Sequence, residues 1–509
     1  MRTTYPPPRL APPRNDAAAD DDMIASPSFA FGASFFLFGT LNNVLYVVIL
    51  SAALDLVDKA TTPKGLILFV NIAPALLVKV GWPYFVPGQP RYQARVTSCS
   101  ALSFAGILTV ALSNSLSFRL LGISIASFSS GLGEMTYLQL ATVYGSLSPV
   151  PDASAVDLGG KAVGWFSSGT GAAGLIGAGL WWVLRGLGVR LGLLICSFLP
   201  LCMALTYFLV LPPLATFQPR STSGQTPYAA LATTLDGDGD VPSDTSRLLG
   251  GGEEEEDDGD GRRRSGPVET GGVDKLPGLT TQDKFRLARP LFARFMLPLF
   301  FVYLADTINS GVAPTLLYEV PNRLESPVLS LVIKNLRDYY PLWQLLYQTF
   351  VFVSRSSLSI LHLPPLPLAL LPLPTVLQVA ILGLALVEAS TLVFVRLFGE
   401  AGATWVTVAL VCCEGLCGGL AYVNCFYRLG TAIDDDDDDE DEDEDEEEEG
   451  GRDLKTRKAR REQEKEFRIA SVGFADTSGI LVASVVASGL EPWLCARQVS
   501  RGRTLCRQL

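Results

Sequence analysis

Apolar runs of about 20 residues recur along this chain, and no other feature constrains its fold as much. LFGTLNNVLYVVILSAALDLV, Leu37 to Val57, has the length a helix needs to cross ~30 Å of hydrocarbon. Lipid offers no partner to backbone N–H and C=O groups, so a lone spanning run must satisfy them internally, as a helix does. We place eleven such runs between residues 30 and 489, six before a long polar segment and five after it. The expected fold class is an all-α polytopic membrane protein of about 11 transmembrane helices. Its parts are a disordered cytosolic N-terminus (1–28), a six-helix half (29–212), a disordered cytosolic loop (213–289), a second helical half (290–489) and a tail (490–509). The second half carries an acidic disordered insert at 431–465.

Charge needs care. The formal net charge is −12, but Asp434 to Glu449 is an unbroken run of sixteen acids and Glu253 to Asp258 adds six. Such runs repel themselves and stay solvated. Removing those 22 from 52 acids leaves thirty, against forty Lys and Arg. The remainder is a basic membrane protein with two acidic loops, and no nucleic-acid partner is implied. The positive-inside rule orients it. With a cytosolic N-terminus, Arg2, Arg9, Arg14, Arg91, Arg95 and Lys161 face the cytosol, as does the basic stretch 452–468. Lys59, Lys64, Arg119, Arg185 and Arg190 face the other side. Eleven spans put the tail in the lumen although it carries Arg497, Arg501, Arg503 and Arg507. Either the count is off by one, or the tail returns along the membrane.

Several chemistries find no support. Residues 1–28 lack the short apolar core and cleavage site of a signal peptide. His362 is the single histidine, and CCEGLC (412–417) lacks zinc-ligand spacing, so we expect no metal, no cofactor and no enzyme. GTGAAG (169–174) fits G-x-G-x-x-G, but it lies inside an apolar span with no acid between Asp157 and Asp236. We read Gly164, Gly171 and Gly174, with Gly415 and Gly419 in the tenth span, as helix-packing surface. Seven of the nine cysteines sit in or beside apolar spans. The chain ends CRQL, with Arg507 and Gln508 where a prenylation box has aliphatic residues.

Polar residues inside spans are costly, so they mark functional candidates. Asn42, Asn43 and Tyr46 lie in the first span, Glu134 in the fourth, Asp306 and Asn309 in the seventh, Glu414 and Asn424 in the tenth and Asp476 in the eleventh. Glu388 and Arg428 are weaker cases, because either could reach outward. We assign the nine candidates to a substrate and proton path. The alternative is structural inter-helix bonding.

Internal symmetry points the same way. GEMTYLQLATVYG in span four and GGLAYVNCFYRLG in span ten share G-x-x-x-Y and a later Gly. AVGWFSSG in span five matches SVGFADTSG in span eleven. Two pseudo-repeated halves joined by a long loop is the major-facilitator layout, in which substrate binds between the halves.

The blocks NNVLYVVILSAALDLV (42–57), SGLGEMTYLQL (130–140), SSGTGAAGLIGAG, VFVSRSS (351–357), EGLCGGLAYVNCFYRL (414–429) and EFRIASVGFADTSGI (466–480) resemble the battenin family, from about residue 29 to 495. The resemblance implies a multi-pass protein of the vacuolar or lysosomal membrane. It implies a part in vacuolar pH balance, basic amino-acid handling and clearance of glycerophosphodiesters. DTSRLL (Asp244 to Leu249) has the acidic dileucine form D-x-x-x-L-L, with Asp244, Leu248 and Leu249 as the letters that sorting adaptors read.

The expected function is therefore secondary transport of a small polar solute, with protons as a second cargo and the lipid bilayer as solvent. Asn42 and Asn43 would line the cavity, or fix helix one against helix seven. Asp306, Glu414 or Asp476 would titrate. The alternative is a non-transporting scaffold that regulates vacuolar trafficking and pH through its loops. Residues 321–341 are expected to form a short helix on the membrane face.

Overall fold

The computed structural model describes residues 27–56, 64–85, 91–145, 158–217, 279–323, 326–444 and 451–507. Among them every regular element is helical. The N-terminal helices are α1 (Pro27–Leu56), α2 (Lys64–Phe85), α3 (Tyr92–Leu112), α4 (Leu116–Gly145), α5 (Leu158–Leu184), α6 (Val189–Cys196) and α7 (Leu199–Leu205). The later ones are α8 (Thr281–Leu291), α9 (Leu297–Val312), α10 (Pro327–Val332), α11 (Tyr339–Arg355), α12 (Leu373–Thr391), α13 (Val393–Glu444) and α14 (Gly451–Ser500).

Helices occupy all eleven expected positions. Eight of them, among the described residues, are long and apolar enough to cross a membrane. α11 has only 17 residues, and the apolar part of α2 is confined to Phe69–Trp82. Both carry polar groups into the protein, as shown below.

Helix pairing divides the molecule into two bundles with one plan. In the first, α1 packs along α5, α2 along α4 and α3 along α4. In the second, α9 packs along α14, α11 along α13 and α12 along α13. Matching span one with seven, two with eight and so on turns each pair of the first set into one of the second. The cross-bundle contacts obey the same exchange: α2 meets α14, and α5 meets α11. This is the two-fold relation of major-facilitator halves. α6 and α7 cover α3, whereas among the described residues no helix covers the matching face of α12, where Val376, Leu377 and Val379 are exposed.

Small residues set the close approaches. A Cβ on Gly171 would sit 2.9 Å from Phe352 Cα of α11, and one on Gly415 2.5 Å from the Tyr347 carbonyl. Gly174 lies against Gln348 and Gly419 against Ser354. Gly164 has only ordinary contacts, with Leu358 and Ser359. Gly39 and Gly169 hold α1 against α5 backbone to backbone. Gly399, at φ 72°, breaks α13 after its first turns, a conformation a side chain disfavours.

Three segments differ from expectation. α8 lies inside the segment expected to be loop. Thr280 starts it with a capping box on Asp283, which satisfies two otherwise unpaired N–H groups. The 431–465 insert, expected to be disordered, is helical through Glu444 and again from Gly451; residues 445–450 lie outside the described part. Glu, Lys and Arg are good helix formers, and Arg460 pairs with Glu464 at i,i+4. The 321–341 helix shrinks to the six residues of α10, which exposes Val328 and Leu331. The chain then turns where Asp338 accepts from the Lys334 and Asn335 amides, both at 2.8 Å.

The tail folds back on the second bundle. Gln498 Nε2 donates to the carbonyls of Thr315 (3.0 Å) and Ala389 (2.8 Å). Arg503 pairs with Glu400 at 2.9 Å and donates to the Leu317 carbonyl at 2.8 Å. Arg497 stacks over Trp493, Arg501 donates to the Ser390 carbonyl, and Cys495 is disulfide-bonded to Cys506. Arg497, Arg501 and Arg503 are thus held by local partners, and a bonded Cys506 has no thiol to prenylate.

Candidate functional site

Most of the ionisable groups that the spans carry inward converge where the two bundles meet. α2 contributes Lys79, 3% exposed. Its Nζ lies 2.8 Å from Glu134 Oε2 of α4 and 3.2 Å from Asp476 Oδ1 of α14. It also donates to Thr477 Oγ1 at 2.8 Å. The second oxygen of Glu134 accepts from the Tyr422 hydroxyl of α13 at 2.9 Å. One cation of the first bundle is thus held between a carboxylate of each bundle. A buried ion pair offsets its desolvation only with good geometry and further hydrogen bonds, and this triad has both.

Arg355, the last residue of α11, forms the centre. Its Nη1 donates to Thr170 of α5, and its Nη2 donates to the Tyr303 hydroxyl of α9 at 2.7 Å. The guanidinium lies 4.2 Å from the ring centre of Tyr422. Beyond it, Asp306 of α9 accepts from the Tyr347 hydroxyl at 2.8 Å and lies beside Glu414. Glu414 also accepts from Gln378 Nε2 at 3.4 Å. The Tyr46 ring of α1 comes close enough to Asp306 to feel its charge.

Cross-bundle bonds gather toward the face where α1, α3 and α5 begin. Lys79 to Asp476 is one and Tyr422 to Glu134 another. Arg95 of α3 pairs with Glu466 of α14 at 2.9 Å and donates to Gln139 of α4 at 3.0 Å. Ser168 of α5 bonds Ser359 beyond α11. Toward the opposite face, α1 and α9 make no extended contact. A cavity of ≈340 Å³ between α12 and α14 and one of ≈690 Å³ along residues 334–338 lie away from this charged centre.

The structure sorts the nine candidates. Glu134, Asp306, Glu414, Asp476 and Tyr46 meet at the bundle interface. Asn42 does not: its Nδ2 donates to the Ser130 carbonyl at 3.0 Å, and Ser130 Oγ returns a bond to the Asn42 carbonyl at 3.2 Å. It clamps α1 to α4 within the first bundle rather than to helix seven. Asn43 donates to the Gly39 carbonyl of its own helix at 3.0 Å. Asn424 accepts from the Leu366 amide at 2.7 Å, and Arg428 donates to the Leu366 carbonyl at 3.0 Å. Together they hold the proline-rich 363–367 segment, whose backbone lacks helical bonds. Asn309 is one turn beyond Asp306 on α9, with its side chain outside the described residues. Glu388 is buried and accepts from the Phe394 amide at the α12–α13 turn.

Sequence reading missed Lys79, Arg355, Thr170, Tyr303, Tyr347 and Tyr422. The signal for Lys79 was present: a cation in the middle of an apolar run, ALLVKVGW, is as costly as an acid. Among the described residues no group of His, Cys, Asp and Glu could hold a metal ion. Asp244, Leu248 and Leu249 lie outside the described residues.

Comparison with known proteins follows the same lines. The family model described as CLN3 protein matches residues 33–497. Protein BTN1 of Mycosarcoma maydis is 45% identical, covering 94% of this chain and 89% of its own. Protein BTN1 of Cryptococcus neoformans (strain B-3501A) is 46% identical, over 94% and 95%. Protein btn1 of Schizosaccharomyces pombe is 33% identical, over 93% and 96%. Among solved structures, the human organic anion transporter MFSD10 (TETRAN) aligns with a TM-score of 0.47 at 13% identity, over 92% of this chain and 98% of its own. Family model and relatives agree across nearly the whole length, and the chain belongs to the CLN3 (battenin) family of multi-pass membrane proteins.

Proposed function

We propose that this protein is a secondary transporter of the vacuolar membrane. It moves a small polar solute, a basic amino acid or a glycerophosphodiester, and thereby contributes to vacuolar pH balance. One observation carries the reading: a cluster of opposite charges shared by two symmetry-related bundles, bonded across at one face only. Buried charges at a bundle interface are expensive unless they face a solute path, and two bundles with one-sided contacts can rock about them.

The sides follow from charge and redox. The contact-rich face is the one to which the positive-inside rule assigns the cytosol. The tail lies at the other, and its Cys495–Cys506 disulfide suits an oxidising lumen. The conformation is then closed to the cytosol and relaxed toward the lumen. The nearness of Asp306 and Glu414 supports coupling, because a solute or a conformation that separates two neighbouring carboxyls changes how readily each holds a proton. Sorting adaptors reading Asp244, Leu248 and Leu249 would deliver the protein to the vacuole.

The test is an untargeted metabolite profile of isolated vacuoles from cells with the wild-type chain, with Asp306→Asn and with none. A small set of solutes changed alike in mutant and null is the expected result. A mutant matching wild type, with only the null disturbed, rejects the charged site and favours a scaffold acting through its loops.

A further inference from the structure

The charges of the site are not all matched. Lys79 has two carboxylates in contact. Among the described residues Arg355 has none: its partners are the hydroxyls of Thr170 and Tyr303 and the ring of Tyr422. Its Nε is buried without a hydrogen-bond partner. Glu134 and Asp306 stand within electrostatic range of it but do not bond it. A buried cation resting on neutral groups leaves strong donors unused, and guanidinium presents a planar fork that fits a carboxylate or a phosphate. Among the described residues Asp306 likewise has no cation in contact; it accepts from the Tyr347 hydroxyl and lies beside Glu414. The bundle interface therefore holds, side by side, one positive group without a carboxylate contact and one acidic pair. Tyr303 hydrogen-bonds the first and Tyr347 the second, while Lys79 is neutralised within its own triad.

We infer that Arg355 is the anion anchor of the solute and that the Asp306–Glu414 pair receives a cationic group, so that the preferred cargo is zwitterionic. The inference rests on the transporter reading above and narrows it. Arg355 bonds Thr170 of one bundle and Tyr303 of the other, so an anion bound there engages a residue that already ties the two bundles. The arrival of the anion substitutes for the hydroxyl bonds, and the bundles separate at that point. Neutral and purely cationic solutes lack the group Arg355 requires.

Purified full-length protein decides this with two probe pairs: arginine against agmatine, which differ only by the carboxylate, and glycerophosphocholine against choline, which differ by the anionic glycerophosphoryl group. Binding is read by thermal shift and titration, and flux separately in liposomes. For wild type, the member carrying the anion in at least one pair should bind at least ~30-fold more tightly than its partner, as expected for a desolvated charge pair. Arg355→Gln should abolish that preference while leaving the weaker member unchanged. Arg355→Lys, which keeps the charge, should retain part of it and serves as the folding control. If Arg355→Gln weakens both members equally, or leaves the preference intact, or if wild type binds none of the four, the anchor assignment is wrong. Binding with the expected preference but without flux would uphold the anchor and sink the transport reading. Flux with an unchanged preference in Arg355→Gln would do the reverse.

Discussion

The two faces of this protein are bonded by different means. At the face where α1 begins, the bonds cross between bundles: Arg95 to Glu466, Lys79 to Asp476, Ser168 to Ser359. At the opposite face, the tail joins α14 to the ends of α9 and α12 and to Glu400, all within the second bundle. The first kind must break if the bundles rock, whereas the second must hold so that one bundle moves as a body. Strong local bonding therefore does not by itself mean a closed gate; what matters is whether the partners belong to one rigid unit or to two.

That contrast breaks in a definite order. Lys79→Ala should have the largest effect, because it leaves Glu134 and Asp476 buried without their cation, a loss of about 3–5 kcal/mol. Thermal unfolding in detergent should show a large fall in stability for Lys79→Ala. A variant as stable as wild type would mean that the triad is hydrated. Cys506→Ser opens a loop of 11 residues and should cost roughly 3 kcal/mol locally. Proteolysis of the tail should speed up, while labelling of a cysteine placed at Ser359 stays unchanged. Altered labelling would mean that the tail acts on the gate after all.

Glu466→Gln keeps the size of the side chain but removes the ion pair with Arg95. An effect of about 1–2 kcal/mol, roughly tenfold in a two-state equilibrium, should raise labelling at Ser359 without lowering thermal stability much. Unchanged labelling would remove Arg95–Glu466 from the gate. Asn43→Ala should have the smallest effect, under ~1 kcal/mol with solute affinity preserved, since its amide serves only its own helix. A large loss of binding in that variant would return Asn43 to the solute path.

Much of the fold was legible. Apolar runs place helices because hydrocarbon leaves a lone backbone segment no other option; the repeated Gly and Tyr spacing paired span four with ten, and the likeness of AVGWFSSG to SVGFADTSG paired five with eleven. Four of the acids were legible too, since a carboxylate in a span demands a reason. The facing of each helix was not. α1 is enclosed on several sides, so Gly39 meets α5 while Asn42, three residues on, meets α4. Periodicity marks a core face only where the other face differs in polarity, and for a buried membrane helix it does not.

The sequence by itself determined that this chain crosses a membrane repeatedly in two related halves, because length, hydropathy and internal repetition are one-dimensional properties. Only the tertiary structure decided which charges are partners. Lys79 and Asp476 are separated by 397 residues, and whether a buried charge is neutralised or free depends on a few ångströms that no spacing encodes. Energies of charge pairs fall with distance and rise with desolvation, so packing alone divides a matched Lys79 from an unmatched Arg355.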